Sequence, residues 1–219
     1  MKKIPGPYSA VESHSPPPYY DRQPSYNKMQ QDRDVMVPMR DGIRLCVDIY
    51  RPDGQGKFPA LLAYAPHNKD LQTPEACETF GPQPAWAPLW LGAQEAGDTR
   101  FFVSRGYAHI VGNPRGVGKS EGPSPVGLYG APDDLYDLIE WIAQQPWCDG
   151  NIGMIGISAF AGAQWQAAIQ QPPHLKAIFP YDAMAAYEFR DSIPGGVIPV
   201  FWYLLDQLNV THMVRGRPG

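Results

Sequence analysis

The chain has 219 residues, with 18 Lys or Arg against 22 Asp or Glu, and its net charge at neutral pH is −4. This length can bury a hydrophobic core and predicts one domain or slightly more, while the mild acidity and the lack of a Lys/Arg run argue against binding to nucleic acid or an anionic membrane. No apolar run is long enough to span a bilayer, and no apolar segment typical of a secretory signal follows the two N-terminal lysines.

Residues 1–34 form a polar, proline-rich extension with three consecutive prolines at 16–18 and neither helical nor strand periodicity. We predict an extended arm that is disordered or lies on the domain surface. A ligand for a proline-binding module is the alternative. We expect order to begin near Val35, a core domain at 35–190 and the start of a helical cap at 191–219.

The first strands follow from apolar periodicity. The Arg-Asp-Gly sequence at 40–42 indicates a turn, and residues 43–49 alternate apolar and polar side chains, so this segment forms a hairpin with the residues before it. A continuous apolar run at 58–64 predicts a strand covered on both faces. The polar loop at 66–70 follows this strand at its carboxyl end, where open α/β sheets place their sites.

Residues 71–97 lack periodicity and contain Trp86 and Trp90, which either cover the core or line an apolar pocket. A buried strand is predicted at 107–111, followed by a glycine-rich loop at 113–122. This loop contains Gly-Val-Gly-Lys-Ser, but it lacks the spacing of a phosphate-binding loop, and the Gly-Pro-Ser-Pro after it prevents a helix. The sequence therefore argues against nucleotide binding.

The second half predicts alternating helices and strands. Apolar residues at helical spacing, with two aspartates in the first turn, predict a helix at 133–145. The next predicted elements are a strand at 151–156, a turn at Ser158, a helix to about residue 171 and a strand at 174–180. Strands separated by helices predict an α/β fold with a mostly parallel sheet and helices on both faces. The regularity weakens after residue 187, although an apolar helix is predicted at 200–208.

Ser158 is the predicted nucleophile. A serine at a sharp turn between a buried strand and a helix exposes its hydroxyl, and the next backbone N–H, that of Ala159, is available to an oxyanion. Small residues near the turn, including Gly156 and Gly162, permit the strand and the helix to approach closely. The alternative is a serine that only caps the helix.

Several sequence blocks resemble the CocE/NonD-type serine hydrolases, a branch of the α/β-hydrolase fold related to X-Pro dipeptidyl-peptidases and α-amino-acid ester hydrolases. The blocks are Met-Arg-Asp-Gly-Ile-Arg-Leu at 39–45, Arg-Gly-Val-Gly-Lys-Ser-Glu-Gly at 115–122, Gln-Pro-Trp-Cys-Asp-Gly at 145–150 and Gly-Met-Ile-Gly-Ile-Ser at 153–158. The resemblance covers roughly residues 35–197. It implies an α/β-hydrolase fold and hydrolysis of an ester, amide or short peptide through an acyl-enzyme on Ser158, with X-Pro dipeptidyl-peptidase-like cleavage as one form.

The resemblance also implies an oxyanion hole with two donors, the first being the Ala159 backbone N–H. In this family the second donor is a tyrosine hydroxyl in an Asn-Pro-Tyr-x-Lys loop. The matching run here is Ala-Pro-His-Asn-Lys at 65–69, so His67 replaces the tyrosine and brings a pH-dependent charge. A surface-loop histidine is the alternative. The turn also departs from the family, because Ala161 replaces an expected glycine.

No convincing triad acid and base accompany Ser158 in the sequence. The fold requires the order Ser, acid, His, and His212 is a weak candidate for the base. The acids that could precede it are Asp182, Asp191 and Asp206. His109 precedes the nucleophile and His174 lies where a strand starts, so both are interpreted as structural.

Members of the resembled family continue through a cap and a β-rich C-terminal domain. We therefore expect this chain to be an N-terminal portion with little turnover by itself. The competing hypothesis is a catalytically inactive remnant of the fold that acts as a binding module.

The cysteines Cys46, Cys77 and Cys148 show no metal-binding spacing and cannot all pair within the chain. We interpret them as reduced thiols of a cytoplasmic protein and expect no metal and no cofactor. The expected partner is the small-molecule or peptide substrate. The sequence does not decide whether the protein forms a homo-oligomer.

Overall fold

A computed structural model describes residues 23–75, 95–123, 130–181 and 183 of the chain. The strands in these residues are β1 (Met29–Pro38), β2 (Arg44–Pro52), β3 (Phe58–Tyr64), β4 (Ala108–Gly112), β5 (Cys148–Ile157) and β6 (Leu175–Tyr181). The helices are α1 (Thr99–Ser104), α2 (Pro132–Ala143) and α3 (Ala159–Gln170), with a 3-10 turn at Lys69–Leu71.

The strands form one sheet in the order β1-β2-β4-β3-β5-β6. β1 pairs with β2 and β2 with β4 in antiparallel fashion, whereas β4 with β3, β3 with β5 and β5 with β6 are parallel. Helices α1, α2 and α3 connect the parallel strands in turn, as parallel pairing requires. The predicted α/β fold with a mostly parallel sheet is confirmed.

Helices cover both faces of the sheet because neighbouring residues of a strand point to opposite sides. In β3, Leu62 belongs to the larger core cluster, to which α2 contributes Leu138. The next residue, Ala63, belongs to a second cluster, to which α1 contributes Val103. As their sequence patterns predict, the apolar side of α2 is buried against the sheet, and β3 is buried on both of its faces.

Strand β1 begins earlier than the sequence predicts, at Met29 rather than near Val35. Its first half is polar and pairs with β2 partly through charge, as in the contact of Arg51 with Asp32. The register shifts between Asp32 and Val35, and Asp34 adopts a φ of +57° there. This bulge breaks the alternation by which a strand is recognised in sequence.

The other boundaries differ by a few residues from the predicted ones. The helix predicted at 133–145 spans Pro132–Ala143. Strand β5 begins at Cys148 rather than at residue 151, because Cys148 still pairs with Phe58 across an irregularity in the register.

Several sequence predictions lie outside the described residues. These are the proline-rich segment before residue 23, Cys77, Trp86, Trp90 and the predicted cap at 191–219. Cys46 and Cys148 are buried free thiols. None of the helices among the described residues has the length and hydrophobicity needed to cross a bilayer.

Candidate active site

The candidate site lies at the carboxyl edge of the parallel strands. Because β3 is parallel to both β4 and β5, the residues that follow these strands emerge at the same edge. His67 follows β3, Asn113 follows β4 and Ser158 follows β5. Two predicted site residues, His67 and Ser158, are therefore placed at one edge by the topology.

Ser158 forms the turn between β5 and α3 with a φ of +58° and a ψ of −115°. A positive φ is uncommon for a residue with a side chain, and such strain clusters at functional sites. The hydroxyl makes no capping hydrogen bond to α3, whereas the backbone N–H donates to the Tyr181 carbonyl oxygen at 3.2 Å. The structure does not support the alternative that Ser158 merely caps the helix.

Gly156 permits the close approach that this turn needs. Its φ is +135°, and a Cβ built there would lie 2.2 Å from Cβ of Phe160 and 3.1 Å from the Glu95 carbonyl oxygen. Phe160 and Ala161 are completely buried, so the first turn of α3 packs directly under the strand. A side chain at position 156 would push the helix away from β5.

Ala159 is the first residue of α3. The first N–H groups of a helix have no acceptor within it, and the helix dipole makes this end partially positive. The position is suited to a developing negative charge on an oxygen bound near Ser158. The role of the Ala159 N–H as an oxyanion donor stays a prediction.

His67 is a mostly buried residue, because its side chain is only 14% exposed. Its ring packs against the Phe160 ring, with 5.7 Å between centroids and 31° between planes. Nδ1 lies 3.4 Å from Oε2 of Glu95, and burial lowers the pKa of His67. The ring therefore packs on the first turn of α3, which follows Ser158, and its role as an oxyanion donor stays a prediction.

Sequence analysis missed Glu95, which contacts both sides of the site. Its carboxylate faces His67, and its backbone carbonyl accepts the Ile157 N–H at 3.0 Å, one residue before Ser158. Glu95 lies in the irregular segment at 71–97, where no motif or period marks a functional residue. Only the folded arrangement reveals it.

Asn113 clamps the loop that carries His67. Its Nδ2 donates to the carbonyl oxygens of Ala65 at 3.0 Å and His67 at 2.6 Å, and its Oδ1 accepts the Lys69 N–H at 3.1 Å. The sequence drew attention to Asn113 only as a position that breaks the phosphate-binding spacing. In the structure, the same residue fixes the backbone of the loop.

Lys69 anchors the far end of that loop in a buried ionic cluster. Its side chain is 2% exposed, and Nζ lies 2.6 Å from Asp34, 2.8 Å from Asp48 and 3.1 Å from Asp70. Burial alone would lower the pKa of Lys69, but the hydrogen bonds with Asp34 and Asp48 raise it. Lys119 of the glycine-rich loop also pairs with Asp34, so this lysine serves the same cluster.

His109 and His174 have structural environments. His109 is buried in β4 between the Thr99 hydroxyl, at 2.9 Å, and the Ala96 carbonyl, at 3.1 Å, and burial lowers its pKa to about 4. His174 precedes β6 at the amino edge, opposite to Ser158, and its Nδ1 lies 2.7 Å from Glu140. Neither is positioned to activate Ser158.

The candidate base His212 lies outside the described residues. The same is true of the candidate acids Asp182, Asp191 and Asp206. Within the described ranges, no group of three or more His, Cys, Asp or Glu side chains is arranged to hold a metal ion.

Residues 41–211 match the sequence family described as X-Pro dipeptidyl-peptidase (S15 family). The chain belongs to this S15 family. Cocaine esterase of Rhodococcus sp. (strain MB1 Bresler) is 40% identical over 168 residues, which is 76% of this chain and 26% of the relative. A putative Xaa-Pro dipeptidyl-peptidase of Bacillus anthracis is 27% identical over 177 residues, which is 73% of this chain and 30% of that protein.

Solved structures agree with this assignment. A CocE/NonD family hydrolase from Staphylococcus aureus has a TM-score of 0.59 at 34% identity, covering 73% of this chain and 28% of that one. An α-amino acid ester hydrolase has a TM-score of 0.57 at 25% identity, covering 75% and 27%. The resemblance to CocE/NonD hydrolases and the α/β-hydrolase fold are thereby confirmed.

The S15-family chain spans 26% to 30% of the length of the curated relatives that it matches. The shared part contains the strand–turn–helix at Ser158 and the loop of His67. The site of this S15 chain is therefore described from two features, the loop of His67 and the turn at Ser158.

Proposed function

We propose that this chain supplies the nucleophile and the oxyanion hole of a serine hydrolase that cleaves ester or amide bonds through an acyl-enzyme. The observation that carries the proposal is the strained backbone of Ser158 between β5 and α3. Membership of the S15 family supports it, since esterases and dipeptidyl-peptidases are among the named relatives.

In the proposed reaction, Oγ of Ser158 attacks the carbonyl carbon while a base takes its proton. The carbonyl π electrons move to oxygen, where the Ala159 N–H and His67 donate hydrogen bonds to the oxyanion. Collapse of the tetrahedral intermediate expels the alcohol or amine, which receives the proton. Water then attacks the acyl-enzyme, and the same base assists. His212 remains the weak candidate for this base.

The proposed substrates are small-molecule esters or amides and short peptides. The relatives' names include a cocaine esterase and Xaa-Pro dipeptidyl-peptidases, so X-Pro dipeptidyl-peptidase-like cleavage is the finer form of the proposal. A panel of p-nitrophenyl esters and X-Pro p-nitroanilides distinguishes ester from amide cleavage by release of the chromophore.

Labelling with a fluorophosphonate tests the nucleophile directly. We expect stoichiometric labelling of the chain, and we expect Ser158→Ala to abolish it. Ser25→Ala is the control, because Ser25 is exposed and, among the described residues, its hydroxyl donates to the Gln23 carbonyl oxygen. If the chain is folded by circular dichroism and takes up no label, the proposal is wrong, and the inactive binding module is favoured instead.

A further inference from the structure

A partly buried acid–base pair lies beside the proposed nucleophile. The side chains of His67 and Glu95 are 14% and 22% exposed, and Nδ1 of the imidazole lies 3.4 Å from Oε2 of the carboxylate. The His67 ring packs on Phe160, and the Glu95 carbonyl accepts the Ile157 N–H. The pair is therefore tied to the chain on both sides of Ser158. Among the described residues these two atoms are not hydrogen-bonded to each other, so the contact is the approach of an ion pair and not yet a hydrogen bond. Catalytic hydrogen bonds are often long before substrate binds, so this contact can tighten on use.

The facing carboxylate determines which ring nitrogen of His67 can donate outward. If Nδ1 and Glu95 share one proton, Nε2 on the other side of the ring has no hydrogen. Nε2 carries a hydrogen only when the pair holds a second proton. With one proton fewer, Nε2 carries a lone pair and cannot donate to an oxyanion. The two groups therefore titrate as one unit, and the donor exists only in the doubly protonated pair.

Burial acts on the doubly protonated pair in two opposite ways. That form has no net charge, whereas loss of one proton leaves a net negative charge at a site shielded from water. Burial lowers the pKa of His67 and so opposes the second proton, whereas a facing carboxylate favours it.

The other charged groups of the neighbouring elements are engaged with one another. Lys69 and Asp70 of the same loop are paired, and Lys119 of the glycine-rich loop is bound to Asp34. The contact from α3 is the apolar ring of Phe160. Among the residues that the structure describes, Glu95 is therefore the titratable group that faces the His67 ring.

We propose that His67 and Glu95 form one functional unit of the oxyanion hole, in which Nε2–H of His67 donates to the oxyanion and Glu95 is the positioning residue that holds the ring and its second proton. This inference rests on the proposed function. As the bond from Ser158 Oγ to the carbonyl carbon forms, the carbonyl π electrons move to the oxygen, and Nε2–H donates a hydrogen bond to this oxyanion. The pair gives up no proton in the step, so the proton balance of the reaction is unchanged.

The rate of fluorophosphonate labelling against pH tests this unit. In the wild-type chain the rate should fall by roughly a hundredfold at alkaline pH, as the pair loses its second proton and one oxyanion donor is removed. In Glu95→Gln the carboxamide donates to Nδ1 and keeps the hydrogen on Nε2, so the alkaline fall should disappear. His67→Tyr restores the family donor, whose hydroxyl stays protonated to about pH 10, and should also remove it.

The matched control is Glu140→Gln, which removes the carboxylate 2.7 Å from Nδ1 of His174 at the opposite edge of the sheet. We expect this variant to label with the wild-type pH profile. An identical alkaline fall in the wild-type chain, Glu95→Gln and His67→Tyr would overturn the inference.

Nitrogen NMR of the imidazole rings provides a measurement that does not depend on reactivity. The His67 signals are assigned by their loss in His67→Tyr. Removal of the carboxylate in Glu95→Gln should lower the pKa of His67 by about one unit or more, and Glu140→Gln should leave it unchanged. Equal His67 titration in the wild-type chain and Glu95→Gln refutes the pairing, whereas absence of label in every folded variant refutes the proposed function and the oxyanion role with it.

Discussion

Ser158 carries backbone strain that its neighbours hold in place. Its N–H is bound by the Tyr181 carbonyl, and its own carbonyl accepts the N–H groups of Ala161 at 3.0 Å and Gly162 at 2.9 Å. A residue with a side chain in such a conformation costs about 1–3 kcal/mol, which the surrounding structure must outweigh. The same hydrogen bonds that force the positive φ orient the Cα–Cβ bond, so strain and nucleophile position have one cause.

We predict that Ser158→Gly is more stable than Ser158→Ala by about 1 kcal/mol, because only glycine adopts this φ without a steric penalty. Both variants lose the hydroxyl and should take up no fluorophosphonate. Urea unfolding measures the difference. Ser104 is the last residue of helix α1, and there the order of stability should reverse, so that Ser104→Gly is less stable than Ser104→Ala. If the glycine variant is less stable than the alanine variant at both positions, the backbone of Ser158 is not strained.

At the scale of elements, the loop after β3 is fixed from two independent directions. Asn113, which follows β4, holds its backbone, and the carboxylates around Lys69 hold its far end. His67 lies between these two anchors, and neither anchor involves its side chain, because Asn113 bonds to the His67 backbone carbonyl. The loop can therefore accept a histidine in place of the family tyrosine without losing its position.

Lys69→Met tests this anchoring. Of the charged partners of the fully buried Asp48, the substitution leaves Arg33, and it should lower the free energy of unfolding by about 3 kcal/mol. Adding Asp48→Asn should recover part of the loss, because the uncompensated charge is removed. Lys57→Met, at an exposed lysine, should change stability by less than about 0.5 kcal/mol. Urea titration measures all three, and a Lys69→Met chain as stable as Lys57→Met contradicts the anchoring.

At the scale of the whole molecule, the core contains a histidine that must stay neutral. His109 is completely buried in β4, with both ring nitrogens hydrogen-bonded, and burial lowers its pKa to about 4. An unfolded histidine titrates near pH 6.5. As the pH falls below 6.5, the unfolded chain takes up this proton first, so protonation favours unfolding.

We predict that His109 makes the free energy of unfolding fall by about 3 kcal/mol between about pH 7.5 and pH 4, and that its contribution is constant above about pH 7.5. His109→Gln should have a shallower dependence in this range, although it is less stable at pH 7. The half-exposed His174 provides the comparison, and His174→Gln should keep the wild-type slope. Urea unfolding at half-unit pH steps measures it, and equal slopes in the wild-type chain and His109→Gln contradict the prediction.

The parts of the fold that were predicted are those with local signals. The apolar periods of β3 and α2 were sufficient, because each element buries a face that its own sequence marks. The start of β1 was predicted wrongly, since its first residues are held by pairing and charge across the sheet rather than by apolar alternation. The small residues around Ser158 marked the turn, because a tight strand–helix approach excludes large side chains there.

The sequence by itself determined the α/β class, the turn at Ser158 and the family resemblance. It also determined that a histidine stands where the family has a tyrosine. Each of these depends on residues that are close together in the chain. Only the tertiary structure decided that Ser158 has a positive φ, that Asn113 clamps the loop of His67 across 46 positions of sequence, and that Glu95 faces the imidazole. Contacts of this kind form where separate strands end at one edge of a sheet, and no local pattern encodes them.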